Sequence, residues 1–451
     1  MHHARGMMVY GAYRVLTSAL SPLLRLHLHW RRLRGLEHPL RWPERLGRAS
    51  IPRPPGPLLW FHAVSLGEGM AAIPVIVELM RRRPEYHVLM TTSVLSAFEV
   101  IKDFLPSEVL YQFAPIDTPA SIKAFLGYWK PSTIFLLESE LWPNLIMCAS
   151  ESSITLALLN ARVSAKSFGR WSMPLLLPLV SLLLSKFSLI TPLSNLQAIR
   201  FQLLQAPPFI VNFSGDLKFA VANSGRRRED NCLEDLKVQL HDKKVWLAAS
   251  VHTSEEKVFL AVHKSLMQMH HDIFTIIVPR HPQHGRELFE KLKREGHCVS
   301  LRSRHDKCLS RSNIYVVDTL GELRQLYKIS PIAIVGGSFF PELSGHNVSE
   351  PAAAGCAVLT GPHVGHFSQM ILEMQSVNPK SVLQLSGEAE LAVVLNEFFK
   401  DPLVLKEHQL AAKSAFHSLS TGITMKALKL IECHVLRGVL APRVIGGLRL
   451  R

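Results

Sequence analysis

The chain has 451 residues, of which 47% are hydrophobic and 19% are charged, proportions typical of a globular protein. They exclude a disordered chain, a collagen and a small disulfide scaffold, and the length predicts two or three domains. The six cysteines form no C-x-x-C pair, which favours free thiols in a reducing compartment. The formal net charge of +15 indicates an anionic partner, such as nucleic acid, an anionic membrane surface or a phosphorylated substrate.

The amino-terminal segment, residues 1–36, is basic and contains no acidic residue before Glu37. Such a segment is typical of a mitochondrial transit peptide, and equally of an amphipathic helix that lies on anionic lipid. A plain solvated helix is the third reading, and composition leaves all three open. Because the segment precedes every motif described below, we expect its deletion to reduce membrane association without loss of activity. Its arginines are Arg5, Arg14, Arg25, Arg31, Arg32 and Arg34.

No run of 18 or more apolar residues is free of charge, so the sequence predicts no confident transmembrane helix. One candidate, residues 171–193, is broken by Pro174, Pro178 and Lys186.

Strand, turn and helix patterns alternate along the first half of the chain, after a proline-rich linker at 51–57. Each predicted strand is a short apolar run that an amphipathic stretch follows. Alternation of this kind predicts a parallel sheet covered by helices on both faces. The predicted strands are residues 58–64, 88–93, 132–139 and 188–194.

A polar, charged stretch at 222–244 separates this series from a second one. We therefore predict an α/β protein of two Rossmann-like, doubly wound domains, residues 37–222 and 223–451. Because ligands of open α/β sheets bind at the carboxyl ends of the strands, we expect the two domains to face a cleft there. The second series of strands is 245–251, 274–280, 313–319, 332–338 and 356–362.

Acidic residues follow two of the predicted strands in the first half. Glu68 lies between two glycines in SLGEG and can accept a proton from a substrate hydroxyl, or it can simply complement a helix dipole. Glu138 and Glu140 lie at a strand end in ESELWPN, where a structural role is as good an explanation. Lys218 in GDLKF is a weak signal by itself.

The second half carries the motifs VPRHPQH and VGGSF, and then SGHNVSEPAAAG. Arg280 follows a strand and can fork onto a phosphate or a carboxylate. His281 and His284 lack a third ligand at metal spacing, so we expect no metal site. The glycines at 336–337, with the helix start at 347–351, favour an anion or ribose site that is neither G-x-G-x-x-G nor Walker A.

Taken together, nine ordered motifs resemble those of the 3-deoxy-D-manno-octulosonic acid (Kdo) transferases, which have the two-Rossmann GT-B fold. The resemblance spans nearly the whole chain. It departs at Ser344-Gly345, where the family commonly has two glycines, and at Ser349, where it commonly has leucine. The motifs are RWPERLG (41–47), HAVSLGEG (62–69), ESELWPN (138–144), LLNARVS (158–164), GDLKF (215–219), VPRHP (278–282), GELRQLY (321–327), VGGSF (335–339) and GHNVSEPAA (345–353).

The resemblance implies transfer of Kdo from CMP-Kdo to lipid IVA, a phosphorylated glycolipid, with inversion and without a cofactor or metal. It assigns Glu68 as the general base, and Glu138 and Lys218 as groups that assist the transition state. It also implies an acceptor domain at 37–222 and a donor domain at 223–451. The implied CMP contacts are Pro279, Arg280, Gly321, Glu322, Leu323, Asn347, Val348, Ser349 and Glu350.

Two other functions compete with this one. The first is another GT-B glycosyltransferase or a nucleotide-sugar epimerase, which shares the fold. The second is a protein that binds anions or RNA, but the sequence has no RNP-like aromatic motif, and we expect no nucleic-acid partner. We expect a mitochondrial, membrane-associated protein that contacts an anionic membrane surface. The alternative location is the cytoplasmic face of a bacterial inner membrane.

Overall fold

The computed structural model describes residues 2–221, 231–304 and 312–436 of the chain. The chain divides into two compact units. Unit 1 comprises residues 1–224 and 422–451, and unit 2 comprises residues 225–421. The predicted boundary between residues 222 and 223 lies outside the described residues.

Unit 1 is built on a six-stranded sheet in which all neighbouring strands are parallel, in the order β3-β2-β1-β4-β5-β6. The strand order reverses between β1 and β4, and this is where an open α/β sheet presents groups to a ligand. The strands are β1 (Leu58–His62), β2 (His87–Thr92), β3 (Leu110–Phe113), β4 (Thr133–Leu137), β5 (Thr155–Ala161) and β6 (Leu189–Pro192).

In the described part of the chain, ten α-helices of unit 1 precede the boundary between the units, and most of them connect successive strands. Helix α3 begins where the Ser65 hydroxyl accepts a hydrogen bond from the Glu68 amide, a standard N-cap. The helices are α1 (His2–Ala19), α2 (Ser21–Leu33), α3 (Leu66–Arg82), α4 (Leu95–Ile101), α5 (Pro119–Trp129), α6 (Pro143–Glu151), α7 (Ala165–Trp171), α8 (Leu177–Leu184), α9 (Asn195–Leu203) and α10 (Lys218–Val221).

The central strands of unit 1 are uniformly apolar because helices cover both faces of the sheet. All five residues of β1 and of β4 are buried. Trp60 packs on one face against Phe125, with ring centroids 4.3 Å apart, and Phe61 stacks on Phe135 at 4.4 Å. Since successive strand side chains point to opposite faces, these two pairs lie on opposite sides of the sheet.

Unit 2 is built on a seven-stranded sheet, also parallel throughout, in the order β13-β12-β11-β7-β8-β10-β9. Its core lies on both faces, as in unit 1. The strands are β7 (Lys244–Val251), β8 (Ile273–Pro279), β9 (Val299–Leu301), β10 (Ile314–Val316), β11 (Ile332–Val335), β12 (Ala357–Thr360) and β13 (Leu383–Gln384).

Within the described residues, eight α-helices belong to unit 2, and the α-helix that follows them belongs to unit 1. They are α11 (Asn231–Gln239), α12 (Glu256–Met269), α13 (Gln283–Arg294), α14 (Leu323–Ile329), α15 (Ser349–Ala354), α16 (Ser368–Val377), α17 (Glu388–Lys400) and α18 (Pro402–Ser420), followed by α19 (Ile423–Ile431) of unit 1.

The α/β class with two Rossmann-like sheets is confirmed, and each of the nine predicted strands overlaps a strand of the structure. The sequence reading missed β3, β5, β9 and β13, because these strands are short or merge into neighbouring apolar helices. The sequence also predicts that all of residues 223–451 belong to one domain. The structure packs α19 against α3 and β6 of unit 1 instead, since its apolar face covers that core.

Helix α1 is part of the unit 1 core. Tyr10 is 3% exposed, and a Cβ at Gly6 would lie 2.5 Å from the Pro178 carbonyl oxygen, so α1 touches α8 backbone to backbone. The Tyr13 hydroxyl donates to Asp117 Oδ2 at 3.0 Å. Deletion of residues 1–36 would therefore remove buried contacts of unit 1 as well as the basic segment, and the expectation that activity survives this deletion stays a prediction.

Within the described ranges, no helix is both long enough and apolar enough to span a membrane. Residues 171–193 form the end of α7, then α8 and β6.

Candidate active site

Glu68 lies in the first turn of α3, just beyond the carboxyl end of β1. Its Oε2 accepts a hydrogen bond from the Val64 amide at 2.7 Å, and its Oε1 accepts one from the Ser65 hydroxyl at 2.9 Å. The geometry is that of a capping box, which by itself is a structural role. Burial and the nearby charge of Glu138 raise the pKa of Glu68. A carboxylate with a raised pKa is a stronger base, so the position suits proton abstraction as well.

Glu138 directly follows β4 and is buried in the left-handed backbone conformation, with φ of 55°. This conformation is costly for a residue other than glycine, and such strain concentrates at functional sites. Its carboxylate forms an ion pair with the Lys218 ammonium, and the Arg162 guanidinium lies 3.8 Å from the other oxygen. The structure therefore brings together the two residues predicted to assist the transition state.

A buried polar network fixes Lys218 in place. Asp216 Oδ1 accepts from the Lys218 amide at 2.9 Å and from Asn160 Nδ2 at 3.1 Å, and Asn160 Oδ1 accepts from the Leu217 amide. Burial by itself lowers the pKa of Lys218, but the charges of Glu138 and Asp216 outweigh it and raise the pKa above its ordinary value. Lys218 is therefore a permanent cation at neutral pH.

Glu140 lies two residues beyond Glu138. Its Oε2 accepts a hydrogen bond from the Trp142 indole at 2.5 Å. Burial, followed by the charge of Glu68, raises the pKa of Glu140 to about 7. The carboxyl edge of this sheet thus gathers three mutually interacting carboxylates and two cations, a set able to move a proton and to stabilise developing negative charge.

In unit 2, the loop after β11 is organised by one buried carboxylate, Glu255. Its two oxygens accept the amide hydrogens of His252, Gly337, Ser338 and Phe339 at 2.7–3.0 Å. A Cβ at position 336 would lie 2.9 Å from the Ala249 carbonyl oxygen, so only glycine fits there. The VGGSF motif is therefore a rigid backbone loop closed around an internal anion.

Two histidines lie beside this loop. The His252 and His346 rings stack 5.3 Å apart, with 3.1 Å between their Nε2 atoms. Burial and the positive charge of Arg280 lower the pKa of His346 to about 3, so its imidazole is neutral. Arg280 follows Pro279, the last residue of β8, and its amide donates to the Val251 carbonyl oxygen.

Two further segments with predicted CMP contacts, residues 321–323 and 347–350, lie at the starts of the short helices α14 and α15. The Glu322 carboxylate, just before α14, accepts hydrogen bonds from Arg302 and from the Thr319 hydroxyl. Burial by itself raises the pKa of Glu322, but these two partners outweigh it and lower the pKa. The Glu322 carboxylate is therefore already engaged by Arg302 and Thr319. Its neighbours Gly321, which has a φ of 87°, and Leu323 contribute backbone groups to this segment.

Asn347 closes the start of α15. Its Oδ1 accepts from the Ser349 amide and hydroxyl, and its Nδ2 donates to Glu350 Oε1 at 3.3 Å. Val348 and Ser349 are fully buried, so their side chains hold the loop, whereas Asn347 and Glu350 are partly exposed.

Within the described residues, no three histidine, cysteine or acidic side chains cluster closely enough to hold a metal.

The sequence reading missed several residues that build these sites. Glu140 is not among the predicted site residues, because only the fold brings β1 and β4 side by side. Arg162 and Asp216 stand next to recognised motifs, in LLNARVS and GDLKF, and their motif positions were the available signal. Glu255 and His252 follow β7 in SVHTSEE, a strand end that the reading passed over.

The two parallel sheets with their covering helices define an α/β protein with the two-Rossmann architecture of the GT-B fold. Solved structures with this architecture include the UDP-GlcNAc 2-epimerase of Neisseria meningitidis bound to UDP-GlcNAc, with a TM-score of 0.55 and 12% identity over 84% of this chain and 100% of that one. Another UDP-N-acetylglucosamine 2-epimerase has a TM-score of 0.58 and 12% identity, covering 88% and 100%. At such low identity the likeness shows the fold alone.

Sequence relatives identify the family. Residues 40–221 match the family model for 3-deoxy-D-manno-octulosonic acid transferase. A protein of Arabidopsis thaliana described as "probable 3-deoxy-D-manno-octulosonic acid transferase, mitochondrial" is 58% identical over 438 residues, covering 96% of this chain and 97% of the relative. The Haemophilus influenzae 3-deoxy-D-manno-octulosonic acid transferase is 32% identical, covering 73% and 77%.

The chain therefore belongs to the Kdo transferase family and is a glycosyltransferase. The prediction made from its motifs is confirmed. The Arabidopsis relative is also described as mitochondrial, which confirms the location predicted from the amino-terminal segment.

Proposed function

We propose that this protein transfers Kdo from CMP-Kdo to a lipid IVA-like, phosphorylated glycolipid with inversion at the anomeric carbon. Residues 37–222 bind the acceptor and residues 223–451 bind the donor. The observation that carries the proposal is the placement of Glu68 at the carboxyl end of β1, among the carboxylates of Glu138 and Glu140, with burial raising its pKa.

In the proposed reaction, Glu68 is the general base. The proton of an acceptor hydroxyl moves to the Glu68 carboxylate while the hydroxyl oxygen bonds to the anomeric carbon of Kdo. The bond from that carbon to the CMP phosphate breaks on the opposite face, and its electron pair leaves with CMP. A sugar hydroxyl is a poor nucleophile until its proton is leaving, so the base has to lie at the reacting oxygen.

Glu138 and Lys218 assist the transition state in this proposal. Lys218 is a permanent cation, and its direct ion pair with Glu138 holds the ammonium group in a fixed position. A cation held in a buried site stabilises developing negative charge without reorganisation during the reaction.

The donor contacts are assigned to the loops of unit 2. Among the described residues, the Arg280 guanidinium forms no ion pair, so its charge is available for the phosphodiester or the sugar carboxylate of CMP-Kdo. Backbone groups supply most of the remaining contacts. They belong to Pro279, Gly321, Glu322, Leu323, Asn347, Val348, Ser349 and Glu350.

We further infer that α2 contacts an anionic membrane surface. Leu23, Leu26 and Leu33 of this helix are 63%, 65% and 75% exposed. Arg25, Arg31, Arg32 and Arg34 lie on or beside it. Exposed leucines flanked by arginines suit a helix that lies in the headgroup region of anionic lipid.

The base assignment is tested with Glu68→Gln, which keeps the shape of the side chain but cannot accept the proton. We expect the turnover number with lipid IVA to fall by about 10²–10⁴-fold, the usual cost of losing a general base. CMP affinity, measured by calorimetry, should be unchanged. Glu99→Gln is the matched control, because Glu99 is a surface residue of α4 whose one ion pair among the described residues is with Lys102.

Wild-type turnover in Glu68→Gln would remove Glu68 as the base. Loss of CMP binding in the same variant would instead make it a structural residue.

The membrane contact is tested by replacing Leu23, Leu26 and Leu33 with serine. We expect flotation with anionic liposomes to fall, while activity on detergent-dispersed acceptor persists. Leu403→Ser and Leu410→Ser are the controls, since these leucines are 81% and 56% exposed on α18. Equal flotation of the α2 variant and the controls would refute the contact.

A further inference from the structure

The loops that follow β7 and β11 lie side by side at the middle of the sheet of unit 2. The strand order reverses there, because β8 pairs with one side of β7 and β11 with the other. Open α/β sheets bind their ligands in the crevice at such a reversal. His252 directly follows β7, and His346 lies in the loop after β11, so both imidazoles belong to the loops that form this crevice. Both side chains are partly exposed.

The two imidazoles are joined through their Nε2 atoms. The ring planes make an angle of 8°, and the Nε2 atoms of His252 and His346 are 3.1 Å apart. Two N–H groups cannot point at each other over this distance, so one Nε2 atom carries a proton and the other accepts it. The accepting imidazole is therefore neutral and carries its own proton on Nδ1.

The main chain decides which histidine donates. His252 and Glu255 form a capping box, in which the His252 side chain accepts the Glu255 amide hydrogen and the Glu255 carboxylate accepts the His252 amide hydrogen. Because Nε2 of His252 faces His346, the accepting atom of His252 is Nδ1, and its proton is on Nε2. His346 is then the acceptor of the pair, and its Nδ1–H has no hydrogen-bond partner among the described residues.

The glycine loop holds the His346 ring in this position. A Cβ at Gly337 would lie 2.7 Å from both Cδ2 and Nε2 of His346, so a larger residue would displace the ring. Gly337 has a φ of 69°, its amide donates to Glu255, and its carbonyl oxygen accepts from the Gly345 amide at 2.6 Å. The VGGSF motif therefore makes room for an imidazole as well as closing around the Glu255 carboxylate.

Arg280 follows the next strand at the same edge of the sheet. Its amide donates to the carbonyl oxygen of Val251, the residue before His252, at 2.8 Å. His346, His252 and Arg280 thus follow three neighbouring strands, β11, β7 and β8. A neutral N–H donor and a guanidinium at one strand edge suit an anionic oxygen, which both can bind without a change of protonation.

We propose that His346 Nδ1–H donates a hydrogen bond to the phosphate of the bound cytidine nucleotide, and that His252 is a positioning residue that fixes the tautomer of His346. This inference rests on the proposed donor domain, and it adds two residues to the contacts implied by the family motifs. The neutral pair fixes the direction of one hydrogen bond, and Arg280 supplies the positive charge.

The first test is CMP affinity, measured by calorimetry. His346→Leu keeps the bulk of the side chain but removes the donor, so we expect affinity to fall by about 10- to 150-fold, the usual effect of losing a hydrogen bond to a charged group. His346→Asn places an amide N–H close to the position of Nδ1 and should restore most of the affinity. His417→Leu is the matched control, because His417 is exposed on α18.

His252→Leu should cause a smaller loss, because the His346 imidazole remains but is no longer held in one tautomer. His252→Gln, whose amide can donate to His346 Nε2, should restore CMP affinity. Wild-type affinity in His346→Leu would refute the contact. Equal losses in His346→Leu and His346→Asn would also overturn the proposal, since they would mean that the ring only packs against the glycine loop.

The second test reads the tautomers directly. Nitrogen NMR of the protein labelled with ¹⁵N-histidine should show the proton of His252 on Nε2 and that of His346 on Nδ1. His252→Leu should abolish the fixed tautomer of His346, and CMP should shift the His346 Nδ1 resonance more than cytidine, which lacks the phosphate.

A proton on Nε2 of His346, or equal shifts with CMP and cytidine, would refute the inference. A wild-type protein that binds no CMP would instead refute the proposed donor domain, so the two ideas fail separately.

Discussion

The two sheets of this protein carry functional groups at the same kind of place, the carboxyl ends of parallel strands, but they use different chemistry there. Unit 1 gathers ionisable side chains, namely Glu68, Glu138, Glu140 and Lys218. Unit 2 gathers backbone amides around the single carboxylate of Glu255 and keeps its neighbouring histidine, His346, neutral.

This difference follows from what each site is proposed to do. A site that moves a proton needs groups whose charge can change. A carboxylate that is not fully neutralised by a neighbouring cation can still take up a proton. A site that holds a nucleotide needs donors at fixed positions, and a loop closed around a buried anion is rigid. The four predictions below test this comparison, from the largest expected effect to the smallest.

The largest effect is expected at the buried ion pair of unit 1. Lys218→Met leaves the Glu138 carboxylate buried with only the more distant Arg162, so we expect the free energy of unfolding to fall by about 3–5 kcal/mol. Glu138→Gln removes the other partner. In urea unfolding, the double variant should be more stable than the sum of the two single changes predicts. Additive losses would mean that the two charges do not interact.

In unit 2, Glu255→Gln replaces one acceptor oxygen with an NH2 group. That group is itself a donor, and it would face the backbone N–H donors of the loop. We expect a loss of about 2–3 kcal/mol, and faster hydrogen exchange of the amides at 337–339, because buried donors lose their acceptor. Glu256→Gln is the control, since that neighbour forms a partly buried ion pair with Lys291 of α13. Unchanged exchange in Glu255→Gln would show that the loop does not depend on the buried charge.

Arg280→Ala is expected to weaken donor binding rather than to slow the chemistry. Loss of one charge-assisted hydrogen-bonding group costs about 1.5–3 kcal/mol, so the KM for CMP-Kdo should rise by about 10- to 150-fold while kcat is maintained. Arg286→Ala is the matched control, because this arginine of α13 is largely exposed. A wild-type KM in Arg280→Ala would contradict the donor role.

The smallest effect is expected at Asp117, the structural carboxylate of unit 1. Like Glu255 it accepts backbone amides, those of Asn144 and Leu145, and it also accepts the Tyr13 hydroxyl of α1. Tyr13→Phe should lower stability by about 1 kcal/mol in thermal unfolding. Tyr128→Phe, which removes a hydroxyl of α5 that donates to the Ile51 carbonyl oxygen at a more exposed position, should have less effect. Wild-type stability of Tyr13→Phe would mean that α1 is held by apolar contacts alone.

The sequence was most informative where chemistry coincides with local pattern. Apolar runs followed by amphipathic stretches predicted the two-sheet architecture, and Glu68, Glu138 and Arg280 were found because each follows such a run. It was least informative for strands with few residues, such as β9 and β13, whose pairing depends on neighbours distant in the chain. Glu255 was missed for a related reason, since its four partners lie partly at residues 337–339.

By itself, the sequence determined the family and the α/β class, and it singled out most of the residues that we propose for the site, because hydrophobic periodicity and the order of the motifs are properties of the chain. Only the tertiary structure decided which charges meet. The adjacency of β1 and β4 places Glu140 beside Glu68, and the burial of Tyr10 makes α1 part of the core. Burial and charge–charge interactions depend on distances through space, and no pattern along the chain specifies these.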